Sequence, residues 1–353
     1  MERMCFMLSK ILIAFLIIVL SISACKENEP ATPIVDYKPT PYILKVPKGF
    51  PLYKVNSDNP LTEEGVALGE RLYNEPMLSS NGRSCSSCHH RDKSFSVPMH
   101  IGENGYRISV PPHINLAFKR HYNWTGSVTI LDTLCIADFG PEFFNTDSAD
   151  MYQNLANSSY YKDAFYKAFL IKNIYDYDFK TMQTKISYAI SQYMRTIISS
   201  NSKYDKVMNG ETMFTTLEQE GYNIFFSEIG DCFHCHQPPL FSDTEFHNNG
   251  LNSTFSGFDN GRWLVTNNAN DIGRFATPTL RNASLTAPYM HDGRYSSLEE
   301  VVEFYNSGIK PSATIDPIIN KKAPTYKLNL TTEQKQALVA FLKTLTDNES
   351  LSN

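Results

Sequence analysis

Runs of like charge and strand-like alternation are both scarce in this 353-residue sequence. Its 32 basic and 37 acidic residues give a formal net charge of -5 and form no long run of either sign. This excludes the basic surface expected of a nucleic-acid-binding protein. No convincing alternation of apolar and polar residues is present either, so the sequence predicts few strands. Hydrophobic residues make up 42% of the chain, which is ample for a sizeable core, and the length predicts two domains.

The N-terminal hydrophobic run is too short to span a bilayer comfortably. Arg3 and Lys10 flank the start of this run, which covers residues 11–20, and small residues follow it, as is typical of a secretory signal. Residues 22–25 resemble a bacterial lipobox, which predicts a periplasmic protein anchored to the membrane by a lipid on Cys25. Plain signal cleavage nearby is the alternative. Prolines are dense over residues 26–60, so the sequence predicts a signal peptide over 1–25 and an extended tether over 26–60.

An even number of cysteines, the usual sign of a disulfide framework, is also missing from the mature chain. Removing Cys5 with the signal and assigning Cys25 to the lipid leaves five of the seven cysteines. Cys135 stands apart, and the other four form two close pairs. Disulfides therefore explain little of the cysteine content.

Each close pair of cysteines is followed directly by a histidine. The residues are Cys85, Cys88 and His89 in the first motif, and Cys232, Cys235 and His236 in the second. Both match C-x-x-C-H, in which two thiols one helical turn apart form thioethers to a haem and the adjacent imidazole binds its iron. A four-cysteine zinc site or a redox dithiol is the alternative, but it leaves both histidines unexplained. The sequence therefore predicts two covalently bound haem c groups.

Helical patterns surround both motifs. Apolar residues recur at helical spacing over residues 61–76 and 179–199, and capping boxes are predicted from Thr216 to Gln219 and from Thr331 to Gln334. Polar residues over 199–211 mark a boundary near residue 205. We therefore expect a mainly α protein with haem domains over residues 61–205 and 206–347.

With these motifs in place, the chain resembles the bacterial dihaem cytochrome c peroxidase and MauG family. The resemblance rests on the two C-x-x-C-H motifs and on the stretch DIGRFATPTLRNASLTAPYMHDGRYSSLEEVVEFYNSG, residues 271–308. It implies two cytochrome c-like domains packed face to face across a calcium site and a tryptophan. The N-terminal haem, here called haem 1, would meet hydrogen peroxide. The C-terminal haem, haem 2, would store or relay electrons from a small donor protein such as a cytochrome c or a cupredoxin.

The resemblance also implies the iron ligands. His89 would bind the iron of haem 1, and His236 that of haem 2. Spacing alone, with a cap predicted from Ser296 to Glu299, favours a buried core position for Tyr305. The family motif instead makes Tyr305 the second ligand of haem 2, because MauG has tyrosine where the peroxidases have methionine.

Four further positions concern access to haem 1 and the path between the haems. Glu103 stands where the peroxidases have a histidine that must leave before peroxide binds, so haem 1 is expected to be open. His100 and His113 are alternative iron ligands, or structural histidines. Trp124 matches the tryptophan between the haems and is expected to relay electrons, with core filling as the alternative.

Two family features are altered. Phe144 stands at the position expected for the catalytic glutamate, and Glu142 is the nearest carboxylate that could act as the base; an exposed loop charge is the alternative. The residues that match the calcium site are Ser109, Thr286 and Pro288, and they predict a weak calcium site or none.

The sequence therefore predicts an exported dihaem oxidoreductase that reduces hydrogen peroxide with electrons from an external redox protein. One alternative is MauG-like oxidation of a partner protein, for which Trp263 is a candidate surface aromatic residue. Another is a dihaem electron carrier without catalysis. A homodimer is compatible with all three.

Overall fold

The computed structural model describes residues 37–53, 56–97 and 106–349, together with the backbone of residues 100–101. The predicted signal peptide, Cys25, the first part of the predicted tether and Glu103 lie outside the described residues. Helices cover 44% of the structure and strands 5%, which confirms the mainly α prediction. Within the described ranges, no helix is both long enough and apolar enough to cross a membrane.

Helices of the N-terminal half come first in the chain. They are α1 (Glu63–Tyr73), α2 (Ser148–Asn157), α3 (Ser159–Phe169) and α4 (Phe179–Thr196). The C-terminal half contains α5 (Lys203–Met208), α6 (Thr216–Phe225), α7 (Trp263–Thr266), α8 (Leu298–Glu303), α9 (Pro317–Asn320) and α10 (Thr332–Lys343). Short 3-10 turns add further helical backbone, and one such turn opens each cysteine motif.

Two antiparallel strand pairs complete the structure. Strand β1 (His100–Ile101) pairs with β2 (Arg107–Ile108), with His100 opposite Ile108. Strand β3 (Phe246–His247) pairs with β4 (Phe275–Ala276), with Phe246 opposite Ala276.

Two large hydrophobic cores and a smaller third cluster lie within one compact body in the described part of the chain. The N-terminal core is built from residues between Leu68 and Ile197, and the C-terminal core from residues between Tyr204 and Leu345. In the first core, Ile186 and Ile190 of α4 are 0% and 1% exposed, as the helical spacing of the sequence predicts.

The same helix crossing is found in each core, and it depends on a glycine. Gly69 of α1 lies against the carbonyl of Ala189 in α4, and Gly221 of α6 lies against the carbonyl of Ala337 in α10. A methyl group at either glycine would overlap that backbone. The two halves therefore use the same close helix pairing to support a cysteine motif that follows α1 in one half and α6 in the other.

The capping boxes were predicted to within one residue. Thr331 caps α10 with Gln334, as predicted. Helix α6 is capped by Thr215 with Glu218, one residue before the predicted pair. Helix α8 is capped by Ser297 with Glu300, one residue after the predicted pair. Each displaced cap lies in a Thr-Thr or Ser-Ser dipeptide, where either hydroxyl satisfies the sequence pattern and the tertiary fold selects one.

The described second half of the predicted tether packs onto the helical body. The Tyr42 amide donates to the Leu61 carbonyl at 3.0 Å, and Leu44 is 7% exposed. The Phe50 ring packs edge-on against Phe118, with 5.1 Å between centroids. This part of the segment is therefore extended chain bound to the protein surface.

Candidate haem sites

The first cysteine motif forms a single turn that points His89 into the N-terminal core. Cys85 opens the turn and is buried, and the His89 amide donates to its carbonyl at 2.9 Å. The His89 Nδ1 lies 2.8 Å from the Phe95 carbonyl oxygen. A hydrogen bond from Nδ1 leaves the lone pair of Nε2 free for a metal. Burial lowers the pKa of His89 to about 4, so the ring is neutral, which is the form that binds iron.

The second motif repeats this geometry in the C-terminal half. The His236 amide donates to the Cys232 carbonyl at 3.0 Å, and His236 Nδ1 lies 3.1 Å from the Phe241 carbonyl oxygen. Burial lowers the pKa of His236 as well. Phe95 and Phe241, which supply the accepting carbonyls, have φ values of 56° and 52°. Bulky residues rarely adopt this left-handed backbone conformation. Its occurrence at both positions indicates that the fold holds both carbonyls toward the histidines.

A cavity of about 250 Å³ adjoins the second motif. Cys232, Cys235, His236 and Tyr305 all line it, so the structure brings the predicted ligands of haem 2 to one space. Tyr305 lies in a π-helical turn, Phe304–Gly308, that continues α8; such turns are frequent at functional sites. Burial raises the pKa of Tyr305 to about 12.

Asn249 contacts the side chains of both Tyr305 and Met290 in this cavity. Its Nδ2 lies 3.1 Å from the Tyr305 hydroxyl and 3.7 Å from the Met290 sulfur. Sequence reasoning missed Asn249, because a single asparagine 56 residues before Tyr305 gives no signal without the fold.

A charged triad lies on the wall of the same cavity. Both ring nitrogens of His247 donate to carboxylates, with Nδ1 2.6 Å from Asp316 and Nε2 2.8 Å from Asp243. Burial opposes protonation, but the two carboxylates outweigh it and raise the pKa of His247 to about 9. The imidazole is therefore a cation held between two anions at neutral pH.

Trp124 belongs to the N-terminal half and lines the haem-2 cavity. Its indole N–H donates to the Ser109 carbonyl at 2.6 Å, and its own carbonyl accepts from Ala276 of β4 at 2.8 Å. Arg262 donates to the carbonyls of Thr125 and Gly126 at 2.8 Å each, and its guanidinium lies over the Phe246 ring. These contacts fix Trp124 between segments of both halves.

The predicted calcium residues are also near one another. The Ser109 hydroxyl donates to the Pro288 carbonyl at 3.1 Å, and the Thr286 hydroxyl donates to the Ala283 carbonyl at 3.3 Å. Calcium binding at these residues stays a prediction.

His113 does not lie across a haem from His89. Their rings are stacked, with 3.4 Å between centroids and 17° between planes. Two imidazoles that bind one iron from opposite faces are separated by two metal–nitrogen bonds of about 2 Å each, so their centroids lie farther apart than this. The side chain of His100 is outside the described residues, as is Glu103, and the open state of haem 1 stays a prediction.

Two carboxylates in the segment before Phe144 differ in exposure. Glu142 is exposed, and its carbonyl lies 3.5 Å from an Arg83 nitrogen. Asp138 is partly buried, and removal from water raises its pKa to about 7. Burial raises the pKa of Cys85 and Cys88, and the charge of Asp138 adds to this effect on both thiols. Asp138 was missed because the family pattern directs attention to the residues near Phe144.

The chemistry of both sites fits a covalently attached haem. Each motif offers two free thiols and a neutral imidazole. Burial lowers the pKa of Lys119 to about 8, and no carboxylate pairs with this ammonium in the ranges that the structure describes. Arg274 lies 4.0 Å from Asp271 and has a buried Nε without a hydrogen-bond partner among the same residues. Buried cations need anions, and haem carries two carboxylates. The four thiols do not converge on a zinc site within the described residues.

Comparisons with known proteins agree with this chemistry. The profile of the family described as di-haem cytochrome c peroxidase matches residues 63–213. Cytochrome-c peroxidase IdrP1 of Pseudomonas sp. (strain SCT) is 32% identical over 345 residues, covering 86% of each chain. Methylamine utilization protein MauG of Methylorubrum extorquens is 28% identical over 298 residues, covering 81% of this chain and 79% of its own.

A solved structure extends the likeness to the fold. It is described as a MauG-like protein associated with microbial copper homeostasis, and it is 30% identical with a TM-score of 0.78. The match covers 88% of this chain and 97% of that one. The predicted resemblance, the two cytochrome c-like domains and the peroxidase-type activity are thereby confirmed. The chain belongs to the di-haem cytochrome c peroxidase and MauG family.

Proposed function

We propose that this protein reduces hydrogen peroxide to water at haem 1. Electrons from a small external redox protein, such as a cytochrome c or a cupredoxin, would enter through haem 2. His89 is the proposed ligand of haem 1, and His236 and Tyr305 are the proposed ligands of haem 2. Trp124 would carry electrons between the two halves.

The position of Trp124 is the observation that carries this proposal. Its segment comes from the N-terminal half, yet its ring lines the cavity of the second motif. Hydrogen bonds to Ser109 and from Ala276 hold both its indole and its backbone. An aromatic side chain held in this way between two haem domains supports electron transfer between them.

The bound haems would supply the redox chemistry, and the chain supplies ligands and proton handling. His89 is neutral and oriented by the Phe95 carbonyl. Peroxide reduction also needs a group that takes a proton from peroxide and returns it to the departing oxygen. We propose Asp138 for this role beside Glu142, because a carboxyl group with a pKa of about 7 is suited to both steps at neutral pH.

The test is to mix the fully oxidised holoprotein with one equivalent of hydrogen peroxide and to follow its visible spectrum by stopped flow. A fast Soret change with consumption of peroxide, without prior reduction, is the expected result. A reduced donor cytochrome should then be oxidised on further addition of peroxide. A silent spectrum would overturn the proposal and favour an electron carrier.

Oxidation of a partner protein is a second candidate, favoured by Tyr305. An oxygen donor favours ferric or higher iron, so haem 2 would store oxidising equivalents better than electrons. The likeness to MauG and to the MauG-like protein of copper homeostasis supports this candidate. Trp263 opens α7 and is followed by Leu264 and Val265, which are 44% and 41% exposed. Peroxide-dependent modification of a periplasmic protein, detected by mass spectrometry and lost on Trp263→Phe substitution, would support it.

Several further proposals concern the assembly of the protein. We propose export and lipid anchoring through Cys25, haem domains over residues 61–205 and 206–347, and calcium binding that is weak or absent. Mass spectrometry of the mature N-terminus tests the anchor, calcium titration followed by haem absorbance tests the ion, and light scattering tests whether two copies pair.

A further inference from the structure

The His89 ring is supported by a second imidazole, a feature that His236 lacks. The His89 and His113 rings lie 3.4 Å apart at an angle of 17°, which is face-to-face contact over much of their area. Among the described residues, no aromatic ring is stacked on His236 in this way. The two otherwise similar motifs therefore differ in the side chain that covers the proximal histidine.

Tyr73 holds His113 in place. Its hydroxyl lies 3.1 Å from His113 Nδ1, and the Tyr73 side chain is 1% exposed. Burial raises the pKa of Tyr73 and lowers that of His113, so both groups are neutral, and one hydrogen bond joins the phenol to the imidazole. Edge-on packing against Phe95 and Tyr193, with centroids at 6.2 and 5.3 Å, leaves the Tyr73 ring little freedom to turn.

One carbonyl connects the two histidines. The Phe95 oxygen lies 2.8 Å from His89 Nδ1 and 3.2 Å from the His113 backbone nitrogen. The side chain of one histidine and the backbone of the other are thus tied to the same atom. The hydrogen bond at Nδ1 restrains rotation of an imidazole about its bond to a metal, and a flat ring packed on its face restrains that rotation further.

We propose that His113, held by Tyr73, is a positioning residue that sets the rotation of the His89 imidazole relative to haem 1. The orientation and electronic character of the proximal ligand are among the means by which a protein tunes a haem. This inference rests on the proposed ligation of haem 1 by His89. On this inference, the Tyr73–His113 pair restrains the ring of His89, and His236 has no equivalent support among the described residues.

Three substitutions in the full-length holoprotein test the inference. Tyr73→Phe keeps the buried ring and removes the hydrogen bond to His113. His113→Phe keeps a flat ring and removes the hydrogen bond to Tyr73, and His113→Leu removes both the flat ring and that bond. Low-temperature electron paramagnetic resonance of the ferric protein reports ligand orientation through the g values, whether or not the iron has a sixth ligand.

The expected result is a changed and broadened haem-1 signal, with the largest change in His113→Leu and a smaller one in Tyr73→Phe. The haem-2 signal should stay constant and serves as the internal control; His236→Met assigns the two signals. An unchanged haem-1 signal in Tyr73→Phe and His113→Leu would overturn the inference. If His113→Leu does not fold, Tyr73→Phe decides, since it alters only one oxygen atom.

Peroxide reduction measured on the same samples separates this inference from the proposed function. Altered g values without any turnover in the parent protein would uphold the role of His113 and reject peroxide reduction. Normal turnover with unaltered g values in all three variants would uphold peroxide reduction and reject the role of His113.

Discussion

Asn249 donates a hydrogen bond from its side-chain amide to the hydroxyl oxygen of Tyr305, with 3.1 Å between the two atoms. Burial raises the pKa of this phenol to about 12 and the Asn249 bond opposes the shift, because the amide stabilises the anionic form of the oxygen. An iron-bound tyrosine is a phenolate, so the amide would support ligation as well. The pair is therefore the point at which to test the second ligand of haem 2.

Replacing Tyr305 by phenylalanine should change the visible spectrum of haem 2 and raise its reduction potential, because an oxygen donor that favours ferric iron is lost. Spectra and a redox titration of the holoprotein measure both effects. Tyr295→Phe is the matched control, since this neighbouring tyrosine packs on Phe304 and has no proposed contact with iron. An unaltered spectrum in Tyr305→Phe would reject the ligand assignment.

Replacing Asn249 by leucine should raise the potential of haem 2 in the same direction but by less. A hydrogen bond to a charged group contributes about 1.5–3 kcal/mol, and this is the stabilisation of the phenolate that the variant would lose. The redox titration measures it. A potential that responds to Tyr305→Phe and not to Asn249→Leu would mean that the amide does not act on the ligand.

The sequence predicts the local parts of this site well. Two thiols and an imidazole within five residues are one turn of backbone, so C-x-x-C-H locates Cys85, Cys88 and His89 without knowledge of the fold. The caps of α6 and α8 lie only one residue from their predicted positions. A capping box depends on a hydroxyl and a carboxamide or carboxylate three residues apart within one helical turn, so the sequence alone locates it closely.

Contacts between distant segments could not be predicted in this way. His113 reaches His89 because the chain folds back so that the Phe95 carbonyl meets both residues. The spacing of 24 residues along the sequence is equally compatible with an axial ligand, a surface residue or a stacked ring. Asn249 and Asp138 were missed for the same reason: a single polar residue has no periodicity, and its role comes from what the tertiary fold places next to it.

Gly221→Ala should destabilise the protein by about 1–3 kcal/mol or more, because the added methyl group overlaps the Ala337 carbonyl and forces α6 away from α10. Gly69→Ala should act similarly through the Ala189 carbonyl. Thermal unfolding of the holoprotein measures the loss. Glu220→Ala, an exposed change on the same helix as Gly221, should stay within about 0.5 kcal/mol of the parent. Equal stability of Gly221→Ala and Glu220→Ala would contradict the close crossing.

The His247 triad should make stability fall at alkaline pH. The pKa of His247 is raised from 6.5 to about 9 by Asp243 and Asp316 against the effect of burial. A raised pKa of this kind contributes stability that is fully present below pH 6.5 and is lost as pH rises through about 9. His247→Gln should lack this dependence. Melting temperatures of both proteins between these pH values test the prediction, and parallel curves would contradict it.

Asp138 should control the pH dependence of the reaction with peroxide. A base must be ionised to take the peroxide proton, so the rate should rise as pH increases through about 7, the pKa to which removal from water raises this carboxyl. Asp138→Asn should be slower by about 10²–10⁴-fold and should lose this step in the profile. Stopped-flow rates across the pH range measure both effects.

Glu142→Gln is the matched control for Asp138→Asn. It removes an exposed carboxylate from the same loop, and the pH step should survive it if Asp138 is the base. Stability gives an independent check on Asp138. Because its pKa is raised from 3.8 to about 7, the parent protein should lose stability as pH rises between these values, and Asp138→Asn should not. Loss of the rate step in Glu142→Gln alone would assign the base to Glu142 and leave Asp138 a buried acid without a part in the reaction.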